Sequence, residues 1–249
     1  MNFFPYCGHQ HAHPHQHALA IETWDACANY IGHAQSAITD INIAVPSGTC
    51  VALVGHNGAG KSTLLKVAAG LLPLRSGRIQ ILGHPIGQCH QRVVYLPQRS
   101  EIDWRFPISV RKLVGSGRYV HLGWLRYPNA NDHKAIEEAL RELDILDLAE
   151  RQISQLSGGQ QQRVLLARAI CQDADLFLLD EPLNAIDVQT QAIVARVLKD
   201  LRKSGKTVVV ATHFIDKLSA QYDGAVYLNE GRQVQPAQGN FTGIPIGKK

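Results

Sequence analysis

The stretch Gly55-His56-Asn57-Gly58-Ala59-Gly60-Lys61-Ser62-Thr63 constrains this chain more than any other, because it fits G-x-x-x-x-G-K-[ST]. It follows Cys50 to Val54, an apolar run with the length of a buried strand, and Ser62 to Ala69 after it has helical texture. Strand, glycine loop, then helix is the context that separates a phosphate-binding loop from a chance glycine-rich turn. Glycines let the backbone curl so that successive N–H groups face one anion. The helix N-terminus adds a favourable dipole. Lys61 is placed to neutralise the β- and γ-phosphates, and the Ser62 hydroxyl to ligate Mg²⁺. Gly58-Ala59-Gly60 runs straight into Lys-Ser-Thr, which disfavours the G-x-G-x-x-G loop of dinucleotide sites. The expectation is therefore ATP held with Mg²⁺.

The rest of the chain reads as an α/β domain. Arg78 to Leu82, Val93 to Leu96, Leu176 to Leu179 and Thr207 to Ala211 read as strands. The last two are continuous apolar runs, as in parallel strands buried on both faces. Asp132 to Leu143 has apolar residues at helical spacing, with Asn131 or Asp132 as its cap. Gln160 to Ile170 and Val188 to Leu201 are further helices. The order predicts a core at about 19–97 and 174–249, interrupted by a mostly helical insert at about 98–173. No internal repeat is visible.

Composition narrows the class. Charged residues are 18% and apolar residues 45%, which excludes wholesale disorder and suits a packed core. A net charge of +4 is too slight to imply a nucleic-acid partner. No apolar stretch approaches the roughly 20 residues of a membrane-spanning helix. Met1 to Tyr6 lacks the basic-then-apolar order of a secretory leader, so a cytoplasmic protein able to dock on a membrane partner is expected. Cys7, Cys27, Cys50, Cys89 and Cys171 form no CxxC pair and fit free thiols in a reduced compartment. Residues 1–18 read as a separate flexible tail, where His9, His11, His13, His15 and His17 alternate with other residues. Alternating imidazoles are able to take Zn²⁺, Ni²⁺ or Cu²⁺, but a solvated terminus without a role is the plainer reading, and the histidines are not counted as a site.

A second motif bears on chemistry. Asp180 and Glu181 stand at the end of the apolar run Leu176 to Leu179, and ligands of open α/β sheets sit at that carboxyl end of the strands. Asp180 would orient Mg²⁺, and Glu181 would be the general base for the attacking water. Two solvated loop acids would be the plain reading without the phosphate loop in the same chain. His213 ends another buried strand and is a candidate γ-phosphate contact.

Leu156-Ser157-Gly158-Gly159-Gln160-Gln161-Gln162-Arg163 resembles the signature motif of ABC-type ATPases. Physically it is a second anion site, in which Ser157 and two glycines lie just before a helix. The resemblance extends from about Leu19 onward. It implies a P-loop RecA-like core with an antiparallel β subdomain and an inserted α-helical signature subdomain. It implies that Gln98 senses Mg²⁺ and nucleotide, that His213 is the switch histidine, and that Asp187 helps join two subunits. Tyr30 is its adenine-stacking aromatic, with Trp24 as the other aromatic in range. The family works as a head-to-tail homodimer, so Ser157, Gly158, Gly159 and Gln160 would act on the partner's nucleotide.

With no span of its own, such a subunit would need a separate integral-membrane permease, served from outside by a substrate-binding protein. The strings from Leu96 to Pro107, Gly117-Arg118-Tyr119 and Gly123-Trp124-Leu125-Arg126 are similar to ATPase subunits of bacterial manganese, zinc and iron importers. One departure stands out: Leu183-Asn184-Ala185-Ile186-Asp187 occupies a place where those relatives more often have Phe-Thr-Gly-Val-Asp. The alternative is an ABC-type ATPase without a permease, serving iron–sulfur assembly or nucleic-acid work. No sustained heptads separate the two phosphate motifs, unlike the DNA-repair relatives.

Overall fold

The computed structural model describes residues 18–30, 32, 36–122, 127–213 and 221–235. The histidine-rich segment 1–17 and the string 123–126 lie outside them. In chain order the elements are β1 (Ile21–Ala28), β2 (Ile38–Ile41), β3 (Ala44–Val45), β4 (Cys50–Val54), α1 (Lys61–Ala68), β5 (Ser76–Ile81), β6 (His84–Pro85) and β7 (Val93–Leu96). Then come α2 (Val110–Gly115), α3 (Ala130–Glu142), α4 (Gly158–Cys171), β8 (Leu176–Asp180), α5 (Val188–Lys203), β9 (Thr207–Thr212), β10 (Gly224–Asn229) and β11 (Arg232–Val234).

Two sheets result. The core sheet has the order β11-β10-β4-β9-β8-β7, with every pairing parallel except the β10–β11 hairpin. The second sheet is antiparallel, with the order β2-β1-β5-β6 and β3 also paired to β1. Strands β4, β8 and β9 are buried at every position, which explains their unbroken apolar sequence. Their alternate residues still divide between two cores. Cys50, Ala52, Val54, Phe177, Leu179, Val208 and Val210 face a core built with α2 to α5. Val51, Leu53, Leu176, Leu178, Val209 and Ala211 face a core shared with α1 and the antiparallel sheet. The central sheet is thus covered on both faces, as a parallel sheet requires.

Some boundaries differ from the sequence reading. Helix α3 begins two residues earlier than expected, and its cap is Asn129, not Asn131 or Asp132. The Asn129 side chain accepts from Asn131 N at 2.8 Å and Asp132 N at 3.3 Å, while Asp132 reaches back to Asn129 N at 3.0 Å. That is a capping box, with Asp132 as its third residue. Gly158 and Gly159 are the first two residues of α4, so they lie inside the helix that they were expected to precede. Leu82 falls outside β5, with φ 53°. Strands β1 to β3 and the β10–β11 hairpin have no counterpart in the sequence reading. A bulge at Asp25 (φ 45°) shifts the inward alternation of β1 by one residue and hides its period. Among the described residues, Cys27, Cys50, Cys89 and Cys171 are free, and no helix is long and apolar enough to cross a membrane.

Candidate nucleotide site

Register brings the site together. In the core sheet Val54 pairs with Thr212 and Asp180 with Ala211, so the carboxyl ends of β4, β8 and β9 are level. The residues leaving those ends are Gly55, Glu181 and His213. Above them lies a cleft of about 1050 Å³, lined by loop residues Asn57, Gly58, Gly60, Lys61, Ser62 and Thr63 and by Tyr30, Ser36, Ala37, Gln98, Glu181, Asn184, Glu230 and Gly231. That is the size and polarity of a site for a nucleotide.

Gly55 and Gly60 illustrate why the loop needs glycine. At Gly55 a Cβ would sit 2.5 Å from Leu228 O and 2.8 Å from the Ala59 Cβ. Gly60 caps α1 in the left-handed region, φ 98°, with no side chain on the first-turn N–H groups. Ala59 is fully buried. The His56 ring is not part of the cleft lining, and its Nε2 is 2.8 Å from Asn229 Oδ1 and its Nδ1 2.6 Å from Asn57 O.

Lys61 is 4% exposed and folds over the loop, donating to Gly55 O at 2.8 Å and His56 O at 3.0 Å. Its Nζ is 3.6 Å from Glu181 Oε1. Asp180, 1% exposed, accepts from Tyr95 Oη at 3.3 Å, from Gln98 Nε2 at 3.4 Å and from the Ser62 hydroxyl. Burial pushes its carboxyl above the usual range, against the pull of those three donors, and the charge of Glu181 adds to the rise. Burial, then the neighbouring Asp180, also pushes the Tyr95 phenol up, so Tyr95 stays a hydroxyl donor. Ser62, Gln98 and Asp180 supply the hard oxygen donors that suit Mg²⁺.

Glu181 holds a left-handed backbone, φ 50°, which is strained for a side chain with a Cβ. A bond from its N–H to Ala211 O at 3.1 Å pins it. Its two oxygens have separate surroundings. Oε2 accepts from Asn184 Nδ2 at 3.0 Å, whereas Oε1 faces Lys61 and, at 3.9 Å, His213 Nδ1. His213 lies beside Glu181 and is not among the residues lining the cleft.

Of the two candidate aromatics, Tyr30 lines the cleft and approaches Thr63 Oγ1 at 3.4 Å. Trp24 instead lies under Arg78, whose Cζ is 4.1 Å from its ring centroid. Ser157, Gly158, Gly159 and Gln160 line none of this cleft. Ser157 caps α4, with its side chain accepting from Gln160 N at 3.4 Å, and Gln160 Oε1 accepts from Ser157 N at 2.9 Å. Asp187 caps α5 through Thr190 N at 2.9 Å.

The sequence reading missed Tyr95, Asn184, Ser36, Ala37, Glu230 and Gly231. Asn184 stood in the loop already singled out for its departure from relatives, three residues after Glu181. Nothing local points to Glu230 and Gly231, which enter the cleft from a hairpin far along the chain.

Known proteins share both sequence and fold. The ABC transporter family profile matches residues 38–184. The zinc transport system ATP-binding protein TroB of Treponema pallidum (strain Nichols) is 42% identical over 212 residues, covering 85% of this chain and 79% of that protein. The manganese transport system ATP-binding protein MntB of Bacillus subtilis (strain 168) is 42% identical over 197 residues, covering 79% of each. A solved dimeric bacterial ABC transporter cassette superposes with a TM-score of 0.77 at 25% identity, over 86% of this chain and 97% of that one. Sequence, topology and the cleft above the strand ends agree: the chain belongs to the ABC transporter family, as an ATP-binding subunit.

Proposed function

We propose that this subunit hydrolyses ATP with Mg²⁺ and uses the cycle to drive uptake of a metal ion, manganese, zinc or iron, through a separate permease. The observation that carries the hydrolytic part is Glu181 Oε1, held 3.6 Å from Lys61 at the mouth of the cleft while Asn184 occupies Oε2. Oε1 would take the proton from water, and the charge of Lys61 would offset the charge that builds up on the γ-phosphate. The loop from Gly55 to Thr63 would cradle the phosphates, Tyr30 would stack on adenine, and His213 would reach the γ-phosphate. Ser62 and Asp180, with Gln98, would hold Mg²⁺, which supplies charge neutralisation between the phosphates.

Ser157 to Gln160 lie outside their own chain's cleft, in keeping with a head-to-tail homodimer in which they meet the partner's nucleotide. The solved cassette named above is itself dimeric. The metal reading leans on relatives named for zinc and manganese transport systems. Under this reading the subunit sits on the inner face of the cell membrane, bound to the permease, with an external binding protein selecting the ion. We divide the chain into a tail at 1–18, a core at about 19–97 and 174–249, and a helical subdomain at about 98–173.

The test is metal uptake by vesicles holding the reconstituted transporter, with radioactive Mn²⁺, Zn²⁺ and Fe²⁺ offered separately. ATP-dependent accumulation of one of them, lost in Glu181→Gln, is expected. Accumulation that survives Glu181→Gln, or none for any metal while ATP is consumed normally, would overturn the reading.

A further inference from the structure

Gly158 and Gly159 open α4, and each is crowded by side chains from another loop of the same chain. A Cβ at Gly158 would collide with Arg99 Nη1 and lie 3.0 Å from its Cζ. A Cβ at Gly159 would meet Thr190 Oγ1 at 2.6 Å and Asp187 Oδ2 closer still. Both loops start in the nucleotide cleft. Arg99 follows Gln98, whose side chain bonds Asp180. Asp187 closes the loop that begins at Glu181 and contains Asn184. The Gln98 loop is also anchored beyond Arg99, through Trp104 Nε1 to Arg99 O at 3.0 Å and the Lys66–Glu101 pair at 2.9 Å.

Fold stability does not account for the Arg99 contact. Its Nη1 is buried and has no acceptor among the described residues. An unsatisfied buried donor of this kind costs about 1–3 kcal/mol. A cation beside the first residues of a helix also opposes the helix dipole. A guanidinium kept in place against both penalties calls for another role.

We propose that Arg99 is a positioning residue: it carries the position of Gln98 to the signature serine of the same chain, so that each subunit's own nucleotide sets how its Ser157 meets the partner's. The inference rests on the two-subunit reading above. Any shift of Gln98 away from Asp180 moves the next residue, and the Arg99 head bears on the Gly158 backbone, which adjoins Ser157. Gly159 is braced separately by Asp187 and Thr190. The two ATP sites of a dimer thereby become coupled through each chain.

The experiment compares the full-length wild type with Arg99→Ala and Arg99→Lys. It measures steady-state hydrolysis against ATP concentration, ATP affinity at dilutions that keep the protein monomeric, and Tm. In Arg99→Ala the Hill coefficient falls from about 2 to about 1. The kcat falls about tenfold, within the range for residues that carry coupling without touching ligand. Monomer affinity changes less than about twofold, and Tm holds or rises because the orphaned donor is gone. Arg99→Lys, which keeps a cation on a long stem, retains most of the cooperativity; if Arg99→Ala does not fold, Arg99→Gln, which keeps much of the stem and loses the cation, takes its place with the same expected fall. A wild-type Hill coefficient of 1, unchanged cooperativity in Arg99→Ala, or a parallel loss of Tm and kcat at constant cooperativity would each overturn the proposal. Failure of the two-subunit reading appears separately, as a Glu181→Gln protein that stays monomeric in saturating ATP.

Discussion

Gly231→Ala tests how the C-terminal hairpin supports the phosphate loop. Gly231 lies in the β10–β11 turn with φ 73°. Its N–H donates to Ala59 O at 3.1 Å, and its carbonyl accepts from Thr39 N at 2.7 Å, tying the turn to the loop and to β2. A Cβ there would stand 2.6 Å from Ala37 O, 3.1 Å from Ala37 C and 3.3 Å from Ile38 Cα. All three are backbone atoms, so no rotamer change relieves the overlap. A left-handed backbone costs an alanine about 1–2 kcal/mol. Overpacking against fixed atoms adds about 1–3 kcal/mol. The sum, about 2–5 kcal/mol, is offset by the ~0.4–1 kcal/mol that alanine gains by stiffening the unfolded chain. Gly205→Ala is the comparator, because Gly205 has φ 77° with nothing within 4 Å of a Cβ. It incurs the conformational cost alone, so the gap between the two variants, about 1–3 kcal/mol, is the collision itself. Denaturant unfolding of the full chain measures that gap. A parallel ATP titration is expected to show weakened binding only in Gly231→Ala, since Ala37 lines the cleft and Ala59 belongs to the loop. Equal stability losses would refute the steric reasoning, and unchanged ATP affinity in a folded Gly231→Ala protein would refute the link to the loop.

Three further outcomes are expected. Glu181→Gln keeps ATP affinity while kcat falls about 10²–10⁴-fold, the usual worth of a general base, and size-exclusion chromatography with ATP finds a trapped dimer; normal turnover removes Glu181 from that role. Lys61→Ala removes the ammonium held over the loop at Gly55 O and His56 O, and equilibrium binding of ATP weakens by about tenfold or more; unchanged affinity means that the loop does not grip phosphate. Asp132 accepts from the Asn129 backbone and then from Arg118, and both hold its carboxyl below the ordinary range. A depressed folded value means stability present above the unfolded carboxyl range near about 4 and lost as pH falls through the folded value. Asp132→Asn is therefore expected to cost about 0.5–2 kcal/mol at pH 7, as for a lost cap, and the gap to wild type closes in strong acid; an equal gap at both pH values would refute the assignment.

The sequence was legible where structure is local or where burial is total. Cys50 to Val54 and Val93 to Leu96 match their strands end to end, because an apolar run between polar breaks has one economical fate in a covered parallel sheet. The Gly55 to Thr63 loop and the Asp180–Glu181 pair are contiguous stretches, and their place at the strand ends follows from the apolar runs just before them. Strand β1 was illegible because Asp25 breaks its period, and two-residue strands such as β3 carry no period at all. At α3, Asn129, Asn131 and Asp132 offer three caps within four residues. Only the reciprocal bonds between residues 129 and 132 choose among them.

The glycines of the signature turn mark where local reading must stop. Glycine is a poor helix former, so Gly158 and Gly159 read as a lead-in to α4. They open its first turn, capped by Ser157, and Arg99, Asp187 and Thr190 leave no room for a Cβ at either position. Those three residues are remote in sequence from the glycines, and their approach depends on how the Gln98 and Glu181 loops leave β7 and β8. The same holds for Glu230 and Gly231 in the cleft wall. Each motif is short and contiguous, whereas the contacts that the Gln98 and Glu181 loops make with the signature turn arise only once the parallel strands align their carboxyl ends.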